Sequence, residues 1–253
     1  MSGWAFAFLV LAGIGAGLTG SIAGLASLVS YPALLATGIP PVTANVTNTV
    51  ALVLNAVGSV SASRPELRGQ GRRLSPLLAA AVLGGSVGAA LLLLTPTEAF
   101  ERIVPWLIAG ASAAILVQRA PHGLAADGAP PPARDPRWLP LGTFAVTVYG
   151  GYFGAAAGVL LLAMYLLSTH EALPRSNAMK NVVLGAANAV AALAFVVLAD
   201  VAWSAALPLA LGFLVGGRIG PRVVRRAPQG VLRAVIAVAG LGLAVHLGIQ
   251  AYS

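Results

Sequence analysis

The chain contains no cysteine. That excludes disulfides, iron–sulfur clusters, thiolate zinc sites and cysteine nucleophiles together. Charge is almost as scarce: 9% of the 253 residues are Asp, Glu, Lys or Arg, against about 25% in a soluble domain. No residue from Met1 to Ser63 has a charged side chain, and the single lysine is Lys180. What fills the gap is apolar, 58% of residues, with a mean hydropathy of +0.88. At ~20 residues per crossing the chain has room for many spans, so the composition predicts an all-α polytopic membrane protein. The net charge of +8 calls for no nucleic acid, because basic cytoplasmic loops give the same excess. No basic segment precedes the first apolar run, and that run outlasts a signal peptide, so no cleaved leader is expected.

Apolar runs between Pro-containing breakers number about eight, at 3–37, 42–63, 75–94, 99–118, 138–169, 176–199, 201–217 and 229–251. The polar piece between Arg119 and Trp138, with Pro130-Pro131-Pro132, lies near the middle. It predicts a first transmembrane repeat over 1–118, a cytoplasmic linker over 119–137 and a second repeat over 138–253. Internal similarity supports the division. Gly17, Gly20, Gly24 and Tyr31 return 134 residues later as Gly151, Gly154, Gly158 and Tyr165. Pro41, Asn48 and Asn55 return as Pro174, Asn181 and Asn188, while Gly84, Gly85, Gly88 and Pro96 return as Gly216, Gly217, Gly220 and Pro228.

The first run of each half is too long for one crossing. As a single helix of 35 residues it would measure ~52 Å against a hydrocarbon core of ~30 Å. Glycines crowd the middle of each, so a broken, re-entrant hairpin of two short helices is expected at Gly20–Gly24 and at Gly154–Gly158. Basic residues favour this arrangement. Eight simple crossings would split them evenly, whereas two hairpins place thirteen of the fifteen on one face, with only Arg102 clearly opposite. By the positive-inside rule that face is cytoplasmic. Each half then crosses an odd number of times, giving inverted-topology repeats with both termini outside. The Ala/Gly/Arg-rich composition points to a bacterial cytoplasmic membrane.

Broken backbone at membrane depth is tolerated where it lines a cavity or is buried in protein. Gly20, Ser21, Gly24, Gly154 and Gly158 are therefore candidate binding residues, since a restarting helix aims free N–H groups at an anion. Close helix packing through Gly-x-x-x-Gly is the competing account. Asn48 and Asn55, like Asn181 and Asn188, are seven apart and share a helix face, with Asn45 nearby. Their amides can donate to an oxyanion without charge, or simply join helices. Ser27 and Ser30 fall beside the first break, where the second half has Leu161 and Met164. Lys180 either snorkels to the interface or gathers anions at a cytoplasmic mouth. His246, inside the last span, either relays protons or is a neutral hydrogen-bonded residue. No catalytic motif, metal-ligand pair or phosphate loop is present, so no enzyme activity and no cofactor are expected. Small-residue faces would also serve a homodimer.

The run ending Val29-Ser30-Tyr31-Pro32-Ala33-Leu34-Leu35, followed by Gly38-Ile39-Pro40-Pro41-Val42-Thr43-Ala44-Asn45, resembles the TauE/SafE family of sulfite exporter-like permeases. So do Leu173-Pro174-Arg175-Ser176-Asn177-Ala178-Met179-Lys180-Asn181 and the blocks Gly84–Gly88 and Gly216–Gly220. The likeness covers nearly the whole chain. It implies transport of a small sulfur-containing or organic anion, such as sulfite or a sulfonate. This chain departs from the family's denser glycine cluster at the first break, with Ser21-Ile22-Ala23 between its glycines. Exporting an anion through an inside-negative potential gains about 2.3 kcal/mol per charge per 100 mV, so export needs no coupling ion. A proton-coupled importer and an anion channel are the alternatives.

Overall fold

The computed structural model describes residues 2–117, 135–169 and 171–224, with backbone alone over 111–117. Helices joined by short turns account for the described residues, and no strand occurs among them. In chain order they are α1 (Gly3–Ala23), α2 (Ala26–Ala36), α3 (Pro41–Ala62), α4 (Arg64–Leu67), α5 (Gly71–Leu94), α6 (Thr97–Val117), α7 (Leu139–Tyr152), α8 (Ala157–Thr169), α9 (Leu173–Leu198) and α10 (Trp203–Val224). Proline opens several of them, as at Pro41 and Pro174, where a missing N–H costs no hydrogen bond.

Four of the described helices, α1, α5, α9 and α10, are long and apolar enough to cross a bilayer. The eight expected spans are thus not all recovered by length and hydropathy. α3 is 22 residues long, but its asparagines and threonines dilute its hydropathy. α10 runs past the expected end at 217, through Arg218 to Val224. Arg218 interrupts an apolar run without interrupting a helix, because its side chain lies exposed. The run at 229–251 with His246, the repeat position Pro228 and most of the 119–137 linker lie outside the described residues.

Backbone-to-backbone packing at small residues organises the bundle, as expected where lipid provides no hydrophobic drive between helices. A β-carbon at Gly13 or Gly17 would collide with the α10 backbone around Leu209–Gly217. One at Gly84 or Gly88 would collide with α7 around Phe144–Tyr152, and one at Gly85 with Ala187 of α9. The result is an exchange. α5 packs chiefly on α7 and α9, while α10 packs on α1 and α3, so early and late stretches of the chain interlock. One end of the α5–α7–α9 group is tied by ions. Arg73 grips Asp135 through two hydrogen bonds of 2.5 Å and reaches Glu171 at 2.6 Å, and Glu171 also accepts from Arg175 at 2.9 Å. The two-pronged arginine contact fixes orientation as well as distance.

Candidate functional site

Both long first runs are interrupted, although not quite as the sequence predicts. The first is a full-length helix of 21 residues followed by a short one of 11, rather than two short arms. Its break lies at Gly24–Leu25, so Gly20 and Ser21 remain helical. Gly24 takes a left-handed φ of 79°, which glycine adopts freely, and its N–H donates to Gly20 O at 2.8 Å. Gly20 stays helical for a packing reason: α2 folds over it, and a β-carbon there would press on Ala26 and on Asn55 Nδ2. The second run breaks over residues 153–156, with left-handed φ at Gly154 (74°) and at Ala156 (60°). The Tyr149 hydroxyl donates to Ala155 O at 2.6 Å across this break.

The two breaks abut. A β-carbon at Gly24 would overlap the backbone of Gly158, and one at Gly158 the backbone of Gly24. Beside this contact lies a cavity of about 40 Å³, room for on the order of three waters if each needs ~10–15 Å³. From early in the chain Gly20, Gly24, Ala26, Ser27, Asn55 and Ser59 line it, and from later Gly150, Gly154, Ala157, Gly158, Asn181 and Asn188. The first turns of α2 and α8 thus both face it, bringing the partial positive charge of two helix N-termini. None of the lining side chains is charged.

Its polar side chains, hydroxyls and three amides, supply both donors and acceptors. Ser27 Oγ accepts from Asn48 Nδ2 at 3.1 Å, which leaves its own proton free for the cavity. The side chains of Asn55 and Asn188 have no hydrogen-bond partner among the described residues, and the Asn55 Oδ1 is buried. Asn181 Nδ2 donates to Ser21 O at 3.3 Å, with its oxygen left over.

Other expected site residues are elsewhere. Asn48 is not among the lining residues. It accepts from Ser30 Oγ at 2.6 Å and donates to Ser27, knitting α3 to α2. Asn45 donates to Tyr152 O at 2.8 Å, at the end of α7. Ser21 Oγ donates back to Gly17 O at 2.7 Å and does not reach the cavity. Lys180 neither snorkels nor faces a mouth. It is fully buried, and its ammonium donates to the main-chain oxygens of Gly20 (3.0 Å) and Ser21 (3.4 Å). Those carbonyls close the C-terminal end of α1, where a cation is favoured. Because Gly20 also lines the cavity, the ammonium stands directly behind the wall. Asn177, which donates to Ser21 O at 2.9 Å, completes this cap. Sequence reasoning passed over it, although its position 132 residues after Asn45 carries the signal.

A family model described as sulfite exporter TauE/SafE matches residues 9–247 of this chain. The probable membrane transporter protein YfcA of Escherichia coli (strain K12) is 26% identical over 238 residues, covering 92% of this chain and 85% of that protein. The probable membrane transporter protein ORF9 of a Sinorhizobium species is 25% identical over 250 residues, covering 95% and 91%. No solved structure matches significantly.

Proposed function

The chain belongs to the sulfite exporter TauE/SafE family, a family of membrane transporters, and on that premise we propose that it exports a small oxyanion through the cavity between its two breaks. Sulfite or an organosulfonate is the substrate class. One observation carries this reading: two helix N-termini and the free amides of Asn55 and Asn188 surround a space lined by no charged side chain, with the buried Lys180 ammonium behind it. Uncharged donors can hold an anion and release it, whereas a lining lysine or arginine would retain it. The ammonium offsets the negative end of α1, which would otherwise repel the substrate.

In this reading 1–118 and 138–253 are inverted repeats joined by a cytoplasmic linker, and both termini are outside in the cell membrane of a bacterium. Export is downhill in the membrane potential, so no coupling ion is required. The test is thermal unfolding of purified protein with sulfite, sulfate, thiosulfate, sulfonates and short carboxylates, followed by counterflow in proteoliposomes. A sulfur oxyanion should raise the melting temperature saturably and show trans-acceleration. Uptake that demands a pH gradient would replace export by proton-coupled import, and flux without saturation would indicate a channel.

A further inference from the structure

The large apolar side chains on the cavity wall are Leu52, Phe153 and Leu184. Phe153 packs edge-on against the rings of Tyr31 and Phe100, at centroid distances of 5.3 and 6.0 Å, so it belongs to an aromatic cluster. The two leucines share their helix faces with the amides. Leu52 stands one turn before Asn55 on α3, and Leu184 one turn after Asn181 and one before Asn188 on α9. Leu184 reaches into the second break. Its δ-carbons lie 3.1 and 3.8 Å from where β-carbons would stand at Gly158 and at Gly150, between the arms that α7 and α8 form.

The rest of the wall is glycine backbone, alanine methyls and short polar side chains. The backbone there cannot retreat, because Gly24 and Gly158 already abut. The lengths of Leu52 and Leu184 therefore set how much space the amides face. That space, about 40 Å³, equals on the order of three water positions. It admits a sulfur atom whose oxygens take those positions. A carbon chain attached to the sulfur would have to occupy the place of a leucine.

We infer that Leu52 and Leu184 form a size filter, through which the cavity accepts a bare inorganic sulfur oxyanion and turns away organosulfonates. The inference rests on the cavity being the oxyanion site and narrows the substrate class to the inorganic ions.

The probes are sulfite and the methane-, ethane- and propanesulfonates, a series with one head group and one charge, titrated into the full-length protein in detergent. With room to spare, each added methylene would tighten binding roughly fourfold by apolar transfer. The filter predicts the opposite: wild-type affinity should fall along the series, with propanesulfonate at least tenfold weaker than sulfite. Leu184→Ala removes the branched end of the side chain and should tighten propanesulfonate about tenfold while changing sulfite by less than about threefold. Leu52→Ala should act in the same direction. Saturable sulfite binding together with equal or rising affinity along the series, or a preference unaltered in both alanine variants, would overturn the filter and leave the oxyanion site standing. Binding of none of these anions to any of the proteins would overturn the site and the filter together. If Leu184→Ala does not fold, the wild-type series and Leu52→Ala decide by the same criteria.

Discussion

The two breaks meet at Gly24 and Gly158, yet different parts secure them. The first joins a long helix to a short one through a single left-handed glycine. The second joins helices of 14 and 13 residues through a four-residue turn with left-handed backbone at Gly154 and at Ala156. An ammonium and two amides hold the end of α1, whereas Asn45 holds that of α7. Beside the first break Ser27 and Ser30 bind Asn48. In the corresponding positions of α8, Leu161 and Met164 belong to an apolar cluster with Tyr165. Two breaks that meet can therefore be secured by unequally divided roles. The first break is pinned by an ammonium and several amides and hydroxyls, and the second by the Tyr149 and Asn45 hydrogen bonds together with apolar packing, at the cost of one strained alanine.

The contact between the breaks is the largest target. Gly158→Val should prevent native folding or cost at least ~3–4 kcal/mol, because the Gly24 backbone already occupies the place of the first added carbon and, unlike the Leu184 side chain beside it, cannot yield. Gly15→Ala, in a helix with open space around it, should instead stabilise by about 0.5–1 kcal/mol. Thermal unfolding in detergent measures both. A tolerated valine would mean that the breaks separate in solution.

Next in size is the charge that distinguishes the two ends. Lys180→Met keeps the volume and removes the ammonium. Ser21 O retains Asn177 and Asn181, so the stability loss should stay near 1–3 kcal/mol. Oxyanion affinity should fall about tenfold or more, or ~1.4 kcal/mol. Unchanged affinity, read from the anion-induced melting shift, would show that the cation serves only to cap α1.

These two targets mark what was legible in the sequence and what was not. Glycine spacing located both interrupted elements, because left-handed backbone and close approach leave a compositional trace. It could not choose between Gly20 and Gly24, since both are glycine for different reasons: Ala26 presses on one and Gly158 on the other. The role of Lys180 was hidden more deeply. Its partners lie about 160 positions earlier and are main-chain carbonyls, which every residue possesses, so no side-chain pattern records them. The asparagine stripe was visible as a polar face, but the sequence carries no register telling which asparagine meets Ser27 and Ser30 and which meets the cavity.

That register makes a prediction within the stripe. Asn48→Ala should cost ~1–3 kcal/mol, since it strips partners from two buried hydroxyls, and should weaken oxyanion binding little. Asn188→Ala removes an amide with no hydrogen-bond partner among the described residues. It should change stability by less than ~0.5–1 kcal/mol while reducing oxyanion affinity several-fold. Melting curves with and without sulfite separate the two, and a reversed order would move the site away from the cavity.

The smallest effect concerns the backbone itself. Ala156 holds a φ of 60°, a conformation that costs an L-residue ~1–2 kcal/mol and glycine almost nothing. Ala156→Gly should recover that strain. Against it stand the greater freedom of glycine in the unfolded chain, ~0.4–1 kcal/mol, and the loss of one buried methyl, ~0.8 kcal/mol. The terms nearly cancel, so the melting temperature should remain within a few degrees of the wild type. The mirror substitution at the first break has no such compensation. Gly24→Ala adds strain at a φ of 79° and drives its methyl into Gly158, so it should destabilise strongly. If the two substitutions proved equally harmful, the second break would depend on the Ala156 methyl as closely as the first depends on having none.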